Sequence, residues 1–281
     1  MITSIIGDII GSSFEFHNVN DENFEFFQPN STFTDDSILT IATLDALLNK
    51  KDYADVYTEY FWKYEGRGWG GSFQSNIRTN KKLVPYESYG NGAVMRISPI
   101  AWFYDDPDKI LKEARKSAIV SHSHPEGIKG AETIAITTYL ARYIKDKEEI
   151  RRMMLNFPGY DIKEKLSDYP RKKFDVTCQG TVPRCLTAFF ECESIEEAIK
   201  KIVYMGGDCD SNCSTALPML EAFYGKPNQK LIDTAWERLP EDFRCILLEF
   251  LTKYVYKDFK EPKVKKIERN GEKDFGIDFL I

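Results

Sequence analysis

Two acid-rich clusters set the tightest limit on how this chain can fold. Phe33-Thr34-Asp35-Asp36-Ser37 stands before one apolar helical run, and far downstream Gly206-Gly207-Asp208-Cys209-Asp210-Ser211 stands before another. Each cluster joins two carboxylates to a hydroxyl. As separate helix starts they are ordinary, because Asp, Ser and Thr are favoured N-caps and negative charge suits a helix N-terminus. Brought into one site, four carboxylates repel one another unless positive charge lies between them. Carboxylates with hydroxyls are the hard oxygen donors that Mg²⁺, Mn²⁺ or Ca²⁺ prefer. The pattern predicts either two unrelated caps or one divalent-metal site assembled from the two ends of a domain.

A chain of 281 residues is long enough to bury a large core. Its formal charge of −6 offers no global basic footprint for nucleic acid or an anionic membrane, so no stable nucleic-acid partner is expected. No apolar run reaches the roughly 20 residues of a membrane helix, and Met1 leads into structure without a basic leader, so a cytoplasmic protein is expected. None of the six cysteines forms a CxxC pair and the chain has only three histidines, which argues for reduced thiols rather than a zinc cage. Cys178, Cys185 and Cys192 recur every seven residues, but Pro183 argues against one helix running through all three.

The periodicity is mostly helical. Ile38, Ile41, Ala42, Leu44, Leu47 and Leu48 form one stripe, and further helices are expected over 54–64, 107–121, 127–143, 147–155, 182–191, 195–205, 211–224, 229–238 and 240–256. Ser194-Ile-Glu-Glu197 reads as a capping box, Gly225 with Pro227 as a stop, and Pro218 as a kink. Gly66–Phe73 and Gly90–Ala93 read as loops. Strand-like alternation is confined to Phe275–Ile281. One all-α domain over 1–258 is expected, followed by a charged tail over 259–281.

Other segments carry candidate chemistry. Gly7 and Gly11 clear one helix face for close packing, while Asp8 and Glu15, seven apart, would share another. Beside the two acidic clusters, Glu15 is expected to reach the metal or its water. Gly90-Asn91-Gly92 is either a plain turn or a tight loop presenting N–H groups to phosphate, with Tyr86 and Tyr89 able to stack on a base. Ser121-His122-Ser123-His124 holds two of the three histidines ahead of a small-residue face, Gly127, Gly130 and Ala131. Either histidine could equally be a satisfied structural one, and His17 is given no role.

Taken in order, Gly7-Asp8…Gly11…Glu15, Thr34-Asp35-Asp36-Ser37, Gly90-Asn91-Gly92-Ala93…Met95-Arg96, His122…His124-Pro125 and Gly207-Asp208…Asp210-Ser211 resemble the ADP-ribosylglycohydrolase family, from about Gly7 to Gly225. The resemblance implies an all-helical fold with two Mg²⁺ ions, or Mn²⁺, in a central cleft. It implies metal ligation by Thr34, Asp35, Asp36, Asp208, Asp210 and Ser211. Gly90, Asn91 and Gly92 would line the diphosphate and distal ribose, with His122 at the substrate, whereas Tyr89 is a substrate-binding candidate through stacking alone. Trp69–Phe73 resembles a loop near the cleft. The expected partner is ADP-ribose or an ADP-ribosylated substrate, cleaved at the N- or O-glycosidic bond, with Asp36 or Glu15 as base. The departures are Cys209 and Ser211 within the second cluster, followed by Asn212-Cys213. Ser211 keeps a ligand oxygen, and a thiol beside the cleft would make the enzyme sensitive to oxidation. Two rival readings are a crystallin-like or ADP-ribose-binding module without catalysis, and a metal-dependent hydrolase of another nucleotide or phosphoester.

Overall fold

The computed structural model describes residues 1–155, 157 and 159–262. Among these the regular structure is helical, with no strand and one isolated bridge between Gly90 and Thr177. The helices are α1 (Ile2–Gly11), α2 (Asp35–Asn49), α3 (Tyr53–Lys63), α4 (Gly71–Asn80), α5 (Ser98–Phe103), α6 (Pro107–Ile119), α7 (Pro125–Tyr143), α8 (Lys147–Leu155), α9 (Cys178–Glu191), α10 (Ile195–Met205), α11 (Cys209–Tyr224), α12 (Gln229–Trp236) and α13 (Glu241–Phe250), the last running into a π-turn at Leu251–Val255. The Phe275–Ile281 segment lies outside the described residues.

An antiparallel pair, α1 against α11, forms the centre. All ten residues of α1 and residues 209–222 of α11 are buried. Gly7 makes this possible, since a Cβ there would stand 2.7 Å from the Cys213 carbonyl carbon. Gly11 likewise faces the backbone of Cys209 and Asp210. The glycine notch therefore brings the start of α11 against the end of α1.

At the opposite end of the pair, the fully buried Glu221 carboxylate gathers donors. Thr3 donates from its backbone N at 2.8 Å and its hydroxyl at 2.6 Å, Tyr256 from its hydroxyl at 2.9 Å, and Ile2 from its backbone N at 3.3 Å. The α-amino group of Met1 is ion-paired to the same carboxylate. Glu221 thus caps α1 and ties in the segment after α13. Removing it leaves several buried donors unpaired, each costing about 1–3 kcal/mol. Glu221→Ala is therefore expected to lower stability by about 3–5 kcal/mol in urea unfolding, with little change in slope. A loss under about 1 kcal/mol would show that water replaces the carboxylate.

Several expectations need correction. α9 runs continuously through Pro183, because the carbonyl deprived of its donor belongs to Gln179, an exposed residue where water can bond instead. Cys178, Cys185 and Cys192 are consequently all buried along this helix and its C-cap. The sequence reads as a loop as far as Phe73, whereas α4 begins at Gly71. Its only buried side chains are Phe73 and Ile77, too few for a helical stripe. α1 stops at Gly11, so Glu15 lies beyond the helix rather than on it. The Ser194 hydroxyl does accept from Glu197 N, but the Glu197 carboxylate bonds the N–H of Glu193 rather than of Ser194.

Candidate active site

Three helix ends converge on one acidic centre. Asp8, fully buried on α1, accepts from Thr34 N at 2.8 Å, Thr34 Oγ1 at 2.5 Å and Ser37 N at 3.1 Å. It thereby docks the start of α2 onto α1. Thr34 is the N-cap of α2, with Asp35 and Asp36 in the first turn. From the other side, positive φ at Gly206 and Gly207 turns the chain out of α10 and into α11. Asp208, Asp210 and Ser211 are buried there.

The sequence pattern left open whether these acids are caps or ligands. Asp208 occupies the N-cap position of α11, yet its side chain makes no capping bond. Its Oδ2 instead accepts from Asn91 Nδ2 at 2.5 Å. Among the described residues the Oδ1 of Asp36 is buried without a hydrogen-bond partner, although Ser211 Oγ lies 3.4 Å from its Oδ2. Oxygens of Asp8, Asp36 and Asp210 lie within 4.8 Å of one another, and so do oxygens of Glu15, Asp208 and Asp210. Asp210 belongs to both groups. Asp35 belongs to neither, although it lines the adjoining cavity. Two oxygen clusters sharing one carboxylate, with an orphaned oxygen among them, fit divalent cations better than two independent caps.

Burial pushes every carboxyl here upward, and for all but Asp8 repulsion from neighbouring acids adds to it. Asp35, Asp36 and Asp210 stand well above the ordinary range, and Asp8 is raised despite its hydrogen bonds. Asp208 is raised to about 6 and the half-buried Glu15 to about 8, in both cases chiefly by burial. Glu15 therefore holds its proton in the ion-free fold at a pH where it loses it in the unfolded chain. The folded state then binds more protons, so stability falls as pH rises from the ordinary glutamate range toward 8. In EDTA, wild type should lose stability relative to Glu15→Gln between pH 6.5 and 8. Parallel urea-unfolding profiles across that interval would contradict this.

A cavity of about 360 Å³ opens onto these acids. Its walls include Glu15, Asp35, Asp36, Gly70–Phe73, Gly90–Gly92, His122, Val176, Asp208, Asp210 and Ser211. The N-terminus of α4 reaches this wall because Trp69 and Phe73 stack at 5.3 Å against Phe61.

The Gly90–Gly92 loop differs from the expectation in how its groups are used. Asn91 N donates to Val176 O at 2.8 Å and Gly90 N to Ser88 Oγ at 3.1 Å, so neither N–H is free for phosphate. The Asn91 amide holds Asp208 and Thr181 in place. Tyr89 does not line the cavity; its ring is half-exposed and meets His124 edge-on at 5.3 Å. His124 is the N-cap of α7, accepting from Glu126 N at 3.1 Å. His122 is the histidine at the cavity, kept neutral by burial and by the charge of Arg96. Sequence reasoning missed the docking role of Asp8, whose signal was its place beside the glycine notch. It also missed the roles of Arg96, although that residue closes the Gly90–Arg96 motif, and of Thr181.

Oxidation sensitivity is not supported. Cys209 and Cys213 are fully buried, and burial pushes both thiols well above their ordinary values, so neither offers a reactive thiolate. They pack as small hydrophobes.

Comparison with known proteins bears on the whole chain. Residues 1–263 match the family model described as ADP-ribosylglycohydrolase. The chain is 23% identical over 280 residues to ADP-ribosylhydrolase ARH3 of Gallus gallus, covering 76% of this chain and 75% of that protein. It is 23% identical over 283 residues to ADP-ribosylarginine hydrolase Tri1 of Pseudomonas putida, covering 83% and 72%. A solved structure described as an ADP-ribosylglycohydrolase-related protein complex superposes with a TM-score of 0.66 at 18% identity, covering 91% of this chain and 95% of that one. That last likeness speaks to the fold alone.

Proposed function

This chain belongs to the ADP-ribosylglycohydrolase family, and from that premise we propose that it is a metal-dependent hydrolase cleaving the N- or O-glycosidic bond between ADP-ribose and an acceptor. The observation that carries this reading is the pair of oxygen clusters sharing Asp210 at the floor of the cavity. Asp36, Asp208 and Asp210 are the principal metal ligands in this proposal, with Thr34, Asp35 and Ser211 completing the oxygen set. Two Mg²⁺ ions, or Mn²⁺, held there would offset the crowded negative charge and supply Lewis-acid stabilisation of charge developing at the ribose.

The remaining roles fall to the chain's own groups. Gly90, Asn91 and Gly92 form the wall for the diphosphate, with Asn91 acting through its grip on Asp208. Breaking the bond at C1″ passes through an oxocarbenium-like state, and a carboxylate must take the proton of the attacking water. Glu15 suits that task better than Asp36, provided that bound cations offset the neighbouring acids that keep it protonated in the ion-free fold. It is half-buried at the cavity wall, whereas Asp36 lies at the floor with its free oxygen among the ligands. The proposal places every functional residue between Glu15 and Ser211, within the expected 1–258 domain. No helix among the described residues is long and apolar enough to cross a membrane.

Calorimetric titration of ADP-ribose tests the proposal. Micromolar binding in excess Mg²⁺ that vanishes in EDTA is the expected result, followed by release of ADP-ribose from modified arginine or serine peptides or another acceptor. Binding without turnover on any acceptor would point to a non-catalytic module. No binding, with phosphate released from simple phosphoesters, would favour the phosphoesterase reading.

A further inference from the structure

His122 meets the cavity through one edge of its ring. A Cβ at Gly90 would stand 3.4 Å from its Nε2 and one at Gly92 3.0 Å, so the two glycines keep that nitrogen uncovered. Among the described residues Nε2 has no protein partner. Nδ1, on the inner edge, lies 2.7 Å from Ser121 Oγ, and Ser121 Oγ lies 2.9 Å from Arg96 Nη2.

The direction of this chain of bonds follows from Arg96. A guanidinium donates and never accepts, so the Ser121 oxygen accepts there and keeps one hydrogen to give. Ser121 is fully buried, and His122 Nδ1 is the one acceptor its hydroxyl meets among the described residues. A proton on Nδ1 would leave that hydroxyl buried without an acceptor, an arrangement native structures avoid. Arg96 cannot relax to suit the other direction. It is fully buried, gives its Nη2 also to Ser117 O at 2.8 Å, and lies over the Tyr57 ring at 4.5 Å. The Tyr57 hydroxyl is held in turn by Ser117 Oγ at 2.7 Å and Thr43 Oγ1 at 2.8 Å.

We propose that Ser121, held by Arg96, is a positioning residue that locks His122 as its Nε2–H tautomer, giving the cavity a neutral hydrogen-bond donor that selects an oxygen acceptor on the ligand. A neutral donor can bond a phosphate or hydroxyl oxygen without adding charge beside the acidic floor. That the oxygen belongs to ADP-ribose rests on the function proposed above, whereas the tautomer does not.

Nitrogen-15 NMR of the imidazoles tests the lock on the ligand-free protein. With three histidines in the chain, the variants His17→Gln and His124→Asn identify the His122 signals. A pyridine-type Nδ1 and a pyrrole-type Nε2 are expected in wild type. The reverse pattern overturns the proposal outright, whether or not any Ser121 variant folds. Ser121→Ala should lose the tautomer preference and weaken ADP-ribose binding in Mg²⁺ about tenfold, and Ser121→Thr should restore both. An unchanged His122 spectrum in folded Ser121→Ala would remove Ser121 from the role. A wild type with the expected spectrum that fails to bind ADP-ribose would uphold the lock and sink the substrate reading instead.

Discussion

Asp210→Asn is expected to abolish turnover while making the ion-free protein more stable. The two effects have opposite signs because one carboxylate serves two clusters. With no cation present, the Asp210 carboxyl is buried facing Asp8, Asp36, Asp208 and Glu15, and burial and repulsion together raise it well above the ordinary range, so the fold must hold a proton that the unfolded chain releases. An amide of the same shape is neutral in both folded and unfolded chain and removes that cost, so melting in EDTA should rise or hold. The amide lacks the negative charge and one of the two oxygens of the carboxylate that both clusters share, so the rise in melting temperature on adding Mg²⁺ should disappear. Loss of that electrostatic assistance is worth several kcal/mol at the transition state, or about a thousandfold or more in kcat. The comparison is two melting curves and one rate. A variant that melts several degrees lower in EDTA, and still gains stability from Mg²⁺, would mark Asp210 as a structural cap and end the metal assignment.

The helices were legible wherever apolar spacing, caps and stops agreed. α8 and α10 coincide with the expected 147–155 and 195–205, because each has a periodic apolar face and acidic residues in its first turn. The glycine notch of α1 was legible for a different reason, since residues four apart on a buried helix can serve only a close approach. The site was harder to read. Both acidic clusters could be named, but which oxygen is satisfied and which is orphaned depends on partners far away in sequence, such as Asn91 on Asp208. Glu15 was placed on a helix that ends at Gly11, and it reaches the acids through the turn that follows. Turn chemistry offers the loop N–H groups to substrate, and stacking offers Tyr89, because sequence says what a loop can expose. It does not say what the 176–178 segment will cover.

Gly11→Ala is expected to damage both fold and site, although it adds a single methyl group. The new Cβ would lie 2.6 Å from the carbonyl carbon of Cys209 and closer still to the backbone of Asp210. Those atoms belong to main chain at the start of α11, so no side-chain rotation can relieve the overlap. Alanine favours a helix interior over glycine by about 1 kcal/mol, and at the last residue of α1 the gain that the clash must overcome is no larger. Overpacking of a rigid core commonly costs about 1–3 kcal/mol, and a backbone-to-backbone clash belongs at the upper end or beyond. Any relief must move α1 away from α11, and that motion separates Asp8, with the α2 start docked on it, from Asp208 and Asp210. Metal affinity should therefore fall along with urea stability. Gly70→Ala is the control, because a Cβ there meets nothing within 4 Å although the residue lines the same cavity. If Gly11→Ala unfolds at the wild-type urea midpoint and keeps its Mg²⁺-dependent stabilisation, the close approach of α1 and α11 is not what assembles this site.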